Sequence, residues 1–191
     1  MNTSQNSTRD RIIEKADELF YQQGFDNTSF TQIASEVGIS KGNFYYHFKT
    51  KDQILDQVIS LRQCKTSSML DEWQLKASNP RERILSFINI LIMNKSKIKK
   101  YGCPVGSLCS ELSKLNHEAL SGANELFTLF RVWLNKEFQQ LGYKKQADEL
   151  AMHLLSQSQG IATLGNAFND EAFIKREVKL LTNWLDNYPQ K

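Results

Sequence analysis

Apolar residues recur every three to four positions along almost the whole chain, and no stretch alternates apolar and polar residues as a strand would. A first helix is expected over about 8–23, with Ile12, Ile13, Ala16, Leu19 and Phe20 on one face and Gly24 as its stop. A short helix follows over about 29–37, with Ile33, Ala34 and Val37 apolar. Gly38-Ile39-Ser40 reads as a tight turn into a third helix over about 41–48. Thr50-Lys51-Asp52-Gln53 has capping-box form and opens a long fourth helix, about 51–76. Asn79-Pro80-Arg81-Glu82 combines a capping Asn, a proline at the first helical position and an early acid. It starts a fifth helix to about residue 100, apolar nearly all round and therefore expected inside a domain. Gly102-Cys103-Pro104 opens a sixth helix to about 113; a seventh covers about 118–141, an eighth 145–168 and a ninth 170–188. Residues 1–7 read as a disordered polar tail. The expected fold class is all-α, about nine helices, with a small N-terminal unit ending near residue 51.

Composition narrows the class. The 191 residues are 40 % hydrophobic and 24 % charged, ordinary for a globular chain, and long enough for one or two small domains. The most apolar run, residues 84–93, is far shorter than a membrane span and is broken by Ser86 and Asn89, so no membrane partner is expected. The first ten residues lack the apolar centre of a signal peptide. Cys64, Cys103 and Cys109 are scattered and odd in number, so a cytoplasmic protein with reduced thiols is the simplest reading. The sequons at Asn6 and Asn27 are then chance matches. His47, His117 and His153 stand alone, without the spacing of a metal site or a catalytic pair. No enzymatic activity, metal or cofactor is expected.

Charge matters by placement. The net charge of +3 identifies no partner, and residues 1–51 carry six Lys/Arg against six Asp/Glu. Those acids all precede Ser40, whereas Lys41, His47, Lys49 and Lys51 follow without an acid among them. That is a local positive face of the kind that attracts phosphates. It coincides with two short helices joined by a glycine-containing turn, the helix-turn-helix pattern. Ile33, Ala34, Val37, Ile39 and Phe44 would fix the angle of the pair. Ser40, Lys41, Gly42, Asn43, Tyr45, Tyr46 and His47 would then face outward. Gly42 lets the backbone approach a groove; Lys41 suits guanine edges or phosphate, and Asn43 adenine or phosphate. Tyr45 suits thymine methyls, and Tyr46 and His47 can donate to phosphate. Thr28, Ser29 and Lys51 add donors near helix starts, where dipoles favour phosphate.

Residues 8–55 resemble the N-terminal domain of TetR-type transcriptional regulators. The matching positions are Ala16, Leu19-Phe20, Gly24-Phe25, Thr28-Ser29, Ile33-Ala34, Lys51-Asp52 and the string from Val37 to Phe48. The resemblance implies that the third helix enters the major groove of double-stranded operator DNA. It puts Thr28, Lys41, Gly42, Tyr45, Tyr46, His47 and Lys51 at the usual contact positions. It divides the chain into a DNA-binding domain, 8–51, and a helical ligand-sensing and dimerisation domain, 52–191. The implied function is a homodimeric repressor released from a palindromic operator by a small-molecule inducer or by thiol modification. The alternative is a constitutive architectural DNA-binding protein without ligand sensing, although six bases against six acids is little charge for one.

The apolar faces of the eighth and ninth helices suit a four-helix bundle across a two-fold axis, and equally burial within one chain. Cys64, Phe87, Tyr101, Phe127, Phe130, Trp133 and His153 carry the bulk to wall an inducer pocket; the same stripe suits plain core. Cys103 stands just before a helix start, where the dipole favours negative charge on sulfur, downstream of Lys95, Lys97, Lys99 and Lys100. A Gly-Cys pair at this place also resembles a subgroup of TetR-like regulators, some of which sense reactive compounds. Space-filling is the other reading of this thiol. Cys109 lies six residues further along the same helix, a rise of roughly 9 Å, beyond disulfide reach.

Overall fold

The computed structural model describes residues 7–188, and among them the regular structure is entirely helical. The helices are α1 (Thr8–Gln23), α2 (Phe30–Val37), α3 (Lys41–His47), α4 (Lys51–Lys76), α5 (Pro80–Met93), α6 (Lys95–Tyr101), α7 (Pro104–Lys114), α8 (Leu120–Gln140), α9 (Ala147–Ala167) and α10 (Glu171–Asn187). The all-α architecture expected from the periodicity is the one adopted. The ten spans are the nine expected helices with the fifth divided. Asn94 makes the division: its side-chain Nδ2 donates to Ile90 O at 2.9 Å, competing with the backbone for that carbonyl. Residues 1–6, with most of the expected tail and the sequon at Asn6, lie outside the described residues. Ser7 departs from that expectation. It caps α1, its hydroxyl accepting from Asp10 N at 3.2 Å while the Asp10 carboxylate accepts from Ser7 N at 3.2 Å.

The start signals act as read. Asn79 Oδ1 accepts from Glu82 N at 3.0 Å with Pro80 at the first position of α5. Thr50 Oγ1 accepts from Gln53 N at 3.2 Å. The Gln53 side chain reaches one residue further back than a capping box requires, accepting from Lys49 N at 2.9 Å.

The chain divides into two compact units, one of Met1–Cys64 with Ser107–Asn124, the other of Lys65–Gly106 with Glu125–Lys191. The first is wider than the DNA-binding segment read from sequence, because it takes in the start of α4 and most of α7. Its buried side chains include Ile12, Ala16, Phe20, Ile33, Phe44, Phe48, Ile54, Leu55 and Val58. Arg62 Nε donates to Asp17 Oδ1 at 2.6 Å and ties α4 to α1.

The second unit packs α5, α8, α9 and α10 around Ile84, Ile88, Leu134, Phe138, Leu154, Ile161, Ile174 and Leu181. One charge sits inside it. Glu137 is fully buried and pairs with Arg83 Nη1 at 3.2 Å. Gln74 Nε2 donates to its other oxygen at 2.9 Å. Such a pair contributes little net stability, but neither partner can be lost without leaving an uncompensated buried charge. α9 and α10 approach closely at Gly165: a Cβ there would lie 2.6 Å from Ile174 Cγ1, and Ile174 is fully buried. Gly165→Ala should therefore destabilise the protein by about 1–2 kcal/mol, the crowding of Ile174 outweighing the better helix propensity of alanine. A drop of a few degrees in the thermal midpoint checks this, on the order of 2–4 °C per kcal/mol for a chain of this size. An unchanged or raised midpoint would contradict the crowding.

Candidate nucleic-acid interface

Seven residues make α3, and each end is held. Gly38 takes a left-handed conformation, φ 73° and ψ 39°, and closes α2, its N–H donating to Ala34 O and Ser35 O. Ile39 N then donates to Ala34 O at 3.0 Å, which turns the chain. Ser40 caps α3, its hydroxyl accepting from Asn43 N at 3.2 Å. Phe44 and Phe48 are buried and anchor the helix from beneath, Phe44 packing on Phe30 at a ring separation of 5.0 Å. α2 is fixed in turn to α1. Arg11 donates to Val37 O, Lys15 lies 4.0 Å from Glu36 while pairing with Glu18 within α1 at 2.6 Å, and the Gln23 and Gln32 amides exchange hydrogen bonds of 3.1 and 3.2 Å. The bond to Glu18 holds the Lys15 ammonium above its ordinary pKa.

The candidate DNA residues fall into two groups. Lys41, Gly42, Asn43, Tyr45 and Tyr46 are exposed on α3, and His47 is half-buried at its end. Tyr46 is 79 % exposed, an unusual degree for an aromatic side chain, and meets only the edge of His47 at 5.2 Å. Tyr45 leans on Phe30 at 5.6 Å, and Lys49 Nζ donates to its carbonyl. Lys41 has no ion pair or side-chain hydrogen bond among the described residues.

The other four are engaged within the protein. Ser29 caps α2 by accepting from Gln32 N at 3.2 Å, as Ser40 caps α3. Thr28 is turned inward at 1 % exposure, its hydroxyl donating to Gly24 O at 2.7 Å and accepting from Gln23 Nε2 at 3.2 Å. Lys51 Nζ donates to Phe25 O and Asp26 O, each at 3.0 Å, and lies 4.4 Å from the Phe25 ring centre.

Gly42 is the most telling position. Its backbone is ordinary helix, and a Cβ built there would meet nothing within 4 Å. Nothing inside the protein requires glycine, and it costs the short helix about 0.5–1 kcal/mol against alanine. The missing side chain leaves bare backbone on the exposed face, between Lys41 and Asn43.

Of the expected sensor residues, Phe127, Phe130 and Trp133 share α8 in the second unit. Phe130 stacks on Phe87 at 5.4 Å and Trp133 on Trp73 at 5.7 Å. Trp133 Nε1 is buried without a hydrogen-bond partner among the described residues. His153 stacks on Trp184 at 4.8 Å, and Tyr101 is half-buried under Lys100 Nζ. Cys64 is exposed and ends the first unit's opening segment, so the structure does not group it with these. Cys103 is half-buried, and its Sγ accepts from Gly106 N at 3.5 Å at the start of α7.

Sequence reasoning passed over Glu111 on α7, whose carboxylate accepts from Phe25 N and Asp26 N, each at 2.9 Å. The available signal was an acid at an inward-facing helical position between the buried Leu108 and Leu112. No helix among the described residues is long and apolar enough to cross a membrane.

Comparison with known proteins agrees with this geometry. Residues 12–58 match the model of the bacterial regulatory proteins, tetR family. The chain is 24 % identical to an HTH-type transcriptional regulator in the lacX 3' region of Lactococcus lactis subsp. lactis, over 97 % of this chain and 96 % of that one. It is 33 % identical to the HTH-type transcriptional regulator QacR of Staphylococcus aureus over 39 % of this chain and 40 % of that one. In fold it is similar to the crystal structure of a TetR transcriptional regulator from Legionella pneumophila, with TM-score 0.84, 24 % identity and coverage of 96 % and 98 %. The helix-turn-helix, whose exposed face carries Lys41, Asn43 and Tyr46 beside a bare glycine, thus lies within the segment that matches the tetR family model, and the whole chain is similar in fold to a TetR transcriptional regulator.

Proposed function

We propose that the protein is a cytoplasmic, homodimeric repressor that seats α3 in the major groove of a palindromic operator and is released by a small-molecule inducer or by modification of Cys103. Gly42 carries the groove assignment. A glycine that the fold does not need, set between two polar side chains on the exposed face, supports close approach of the backbone to DNA. Gly42→Ala should raise protein stability by about 0.5–1 kcal/mol and weaken operator binding, because the added methyl stands where the groove wall would come. Unfolding and footprinting together test the two opposite signs; a variant that footprints its upstream region as well as the parent would sink the assignment.

Pairing of two copies is supported by α9. Met152, Ser156, Gly160, Leu164 and the capping Phe168 follow one another at intervals of four residues and all are exposed. Such a row forms a ridge of the kind that packs into a partner helix, and Ser156 and Gly160 leave its centre low enough for close contact. Exposed Leu180 on α10 extends the apolar surface. Two reading heads would then meet half-sites about 34 Å apart or a multiple of it. Leu164→Asp should shift the protein to monomer in sedimentation and abolish cooperative operator binding; a dimer of unchanged mass would place the interface elsewhere.

For the inducer, the aromatic bulk around Phe87, Phe130 and Trp133 supports an apolar ligand in the second unit. For the thiol, the support is the seat of Cys103 Sγ on the Gly106 amide at a helix start, where a negative sulfur is favoured. Alkylation should release the parent from DNA and leave Cys103→Ser bound; equal release of both, followed by mobility shift, would reject the thiol as sensor.

A further inference from the structure

We propose that Glu111 is a positioning residue for operator recognition, acting through the Phe25–Asp26 peptide rather than by touching DNA. The inference rests on the reading of α3 as the operator-reading helix.

The turn between α1 and α2 decides where α2, and with it α3, is set down. Its internal bonds, Thr28 N to Phe25 O at 3.2 Å, the Thr28 hydroxyl to Gly24 O at 2.7 Å and the Asn27 amide to Gln23 O at 3.1 Å, leave Phe25 N, Asp26 N and Asp26 O to find partners elsewhere. Phe25 N and Asp26 N both donate to the Glu111 carboxylate at 2.9 Å, and Phe25 O and Asp26 O both accept from Lys51 Nζ at 3.0 Å. Two side chains of opposite charge therefore meet all four polar groups of one dipeptide. These are charge-assisted bonds, stronger than neutral ones, and the paired geometry fixes orientation as well as distance.

The neighbourhood is shaped around that carboxylate. Gly24 has φ +93°, and a Cβ there would lie 2.9 Å from Glu111 Oε1, so glycine is required both by the backbone and by the approaching acid. The same segment of chain is fastened again six residues on. Ala119 N donates to His117 Nδ1 at 3.1 Å, which leaves Nε2 of the neutral ring to donate to Asp52 Oδ1 at 3.3 Å. The His117 ring stands edge-on to Phe25 at 5.2 Å. Glu111 and His117 thus hold both the α1–α2 turn and the first turn of α4, which lie on either side of the reading helix in the chain. Neither interaction serves α7 itself, whose own backbone is helical without them.

The sign of the effect separates this role from simple electrostatics. Removing an acid from a DNA-binding unit should strengthen attachment to DNA of any sequence. Removing a positioning carboxylate should weaken only the specific complex. The probe is a duplex that the purified full-length protein selects from a randomised pool, compared with a scrambled duplex of equal length and composition. Glu111→Gln is expected to bind the selected duplex about tenfold more weakly, the scale of one charge-assisted hydrogen bond, with binding of the scrambled duplex unchanged or stronger. Equal or tighter binding of the selected duplex overturns the proposal, and so does an equal loss on both duplexes. Hydrogen exchange in the unaltered protein decides the matter if the variant does not fold: the Phe25 and Asp26 amides should exchange more slowly with the selected duplex bound, and exchange that the duplex leaves unchanged overturns it. A pool from which no sequence emerges removes the operator reading itself, an outcome distinct from a selected duplex that Glu111→Gln still binds normally.

Discussion

Seven residues are too few to hold a helix in water, and α3 has seven. Everything around α3 answers that shortage. Its first turn is closed by Ser40, its entry is set by the left-handed Gly38, and its underside is nailed by Phe44 and Phe48. A helix stabilised wholly from one side and from its ends leaves the opposite side free of structural duty. That free side carries Lys41, Gly42, Asn43, Tyr45 and Tyr46. The dependence also runs backwards, since α3 is only as well placed as α2, and α2 as the turn that joins it to α1.

Neutrality of the N-terminal segment fits the same division. The basic residues of α1 are used locally, Lys15 on Glu18 and Glu36 and Arg11 on the end of α2, while Asp17 is met by Arg62. With Asp17, Glu18 and Glu36 each beside a base, the lysine on the outward face of α3 has no ion pair among the described residues. A modest total charge thus coexists with a local attraction for phosphate.

The elements were legible because they rest on local chemistry. Periodicity located the helices, and caps at Asn79 and Thr50 placed two of their starts. The division at Asn94 was not legible, because an asparagine in an apolar stretch gives no sign of whether its amide will turn back on the helix. In the candidate site, residue type did not show which side chains would stay exposed and which the fold would engage. Thr28 and Lys51 donate to backbone carbonyls of the protein itself, while the hydroxyls of Ser29 and Ser40 accept from backbone N–H groups as helix caps. Glu111 escaped notice because its partners are 85 and 86 residues away, and only a folded chain brings such positions together.

The bareness of the exposed face of α3 has a consequence for how its side chains can change. Among the described residues the Lys41 and Asn43 side chains make no hydrogen bond or ion pair, and the Tyr46 ring meets that of the neighbouring His47. Such positions can be exchanged without re-solving the core, so recognition and stability form nearly separate problems in this chain. With α3 seated in an operator as proposed, a new preference is reachable through single steps that each leave a folded protein, with the capped, anchored scaffold held constant beneath them.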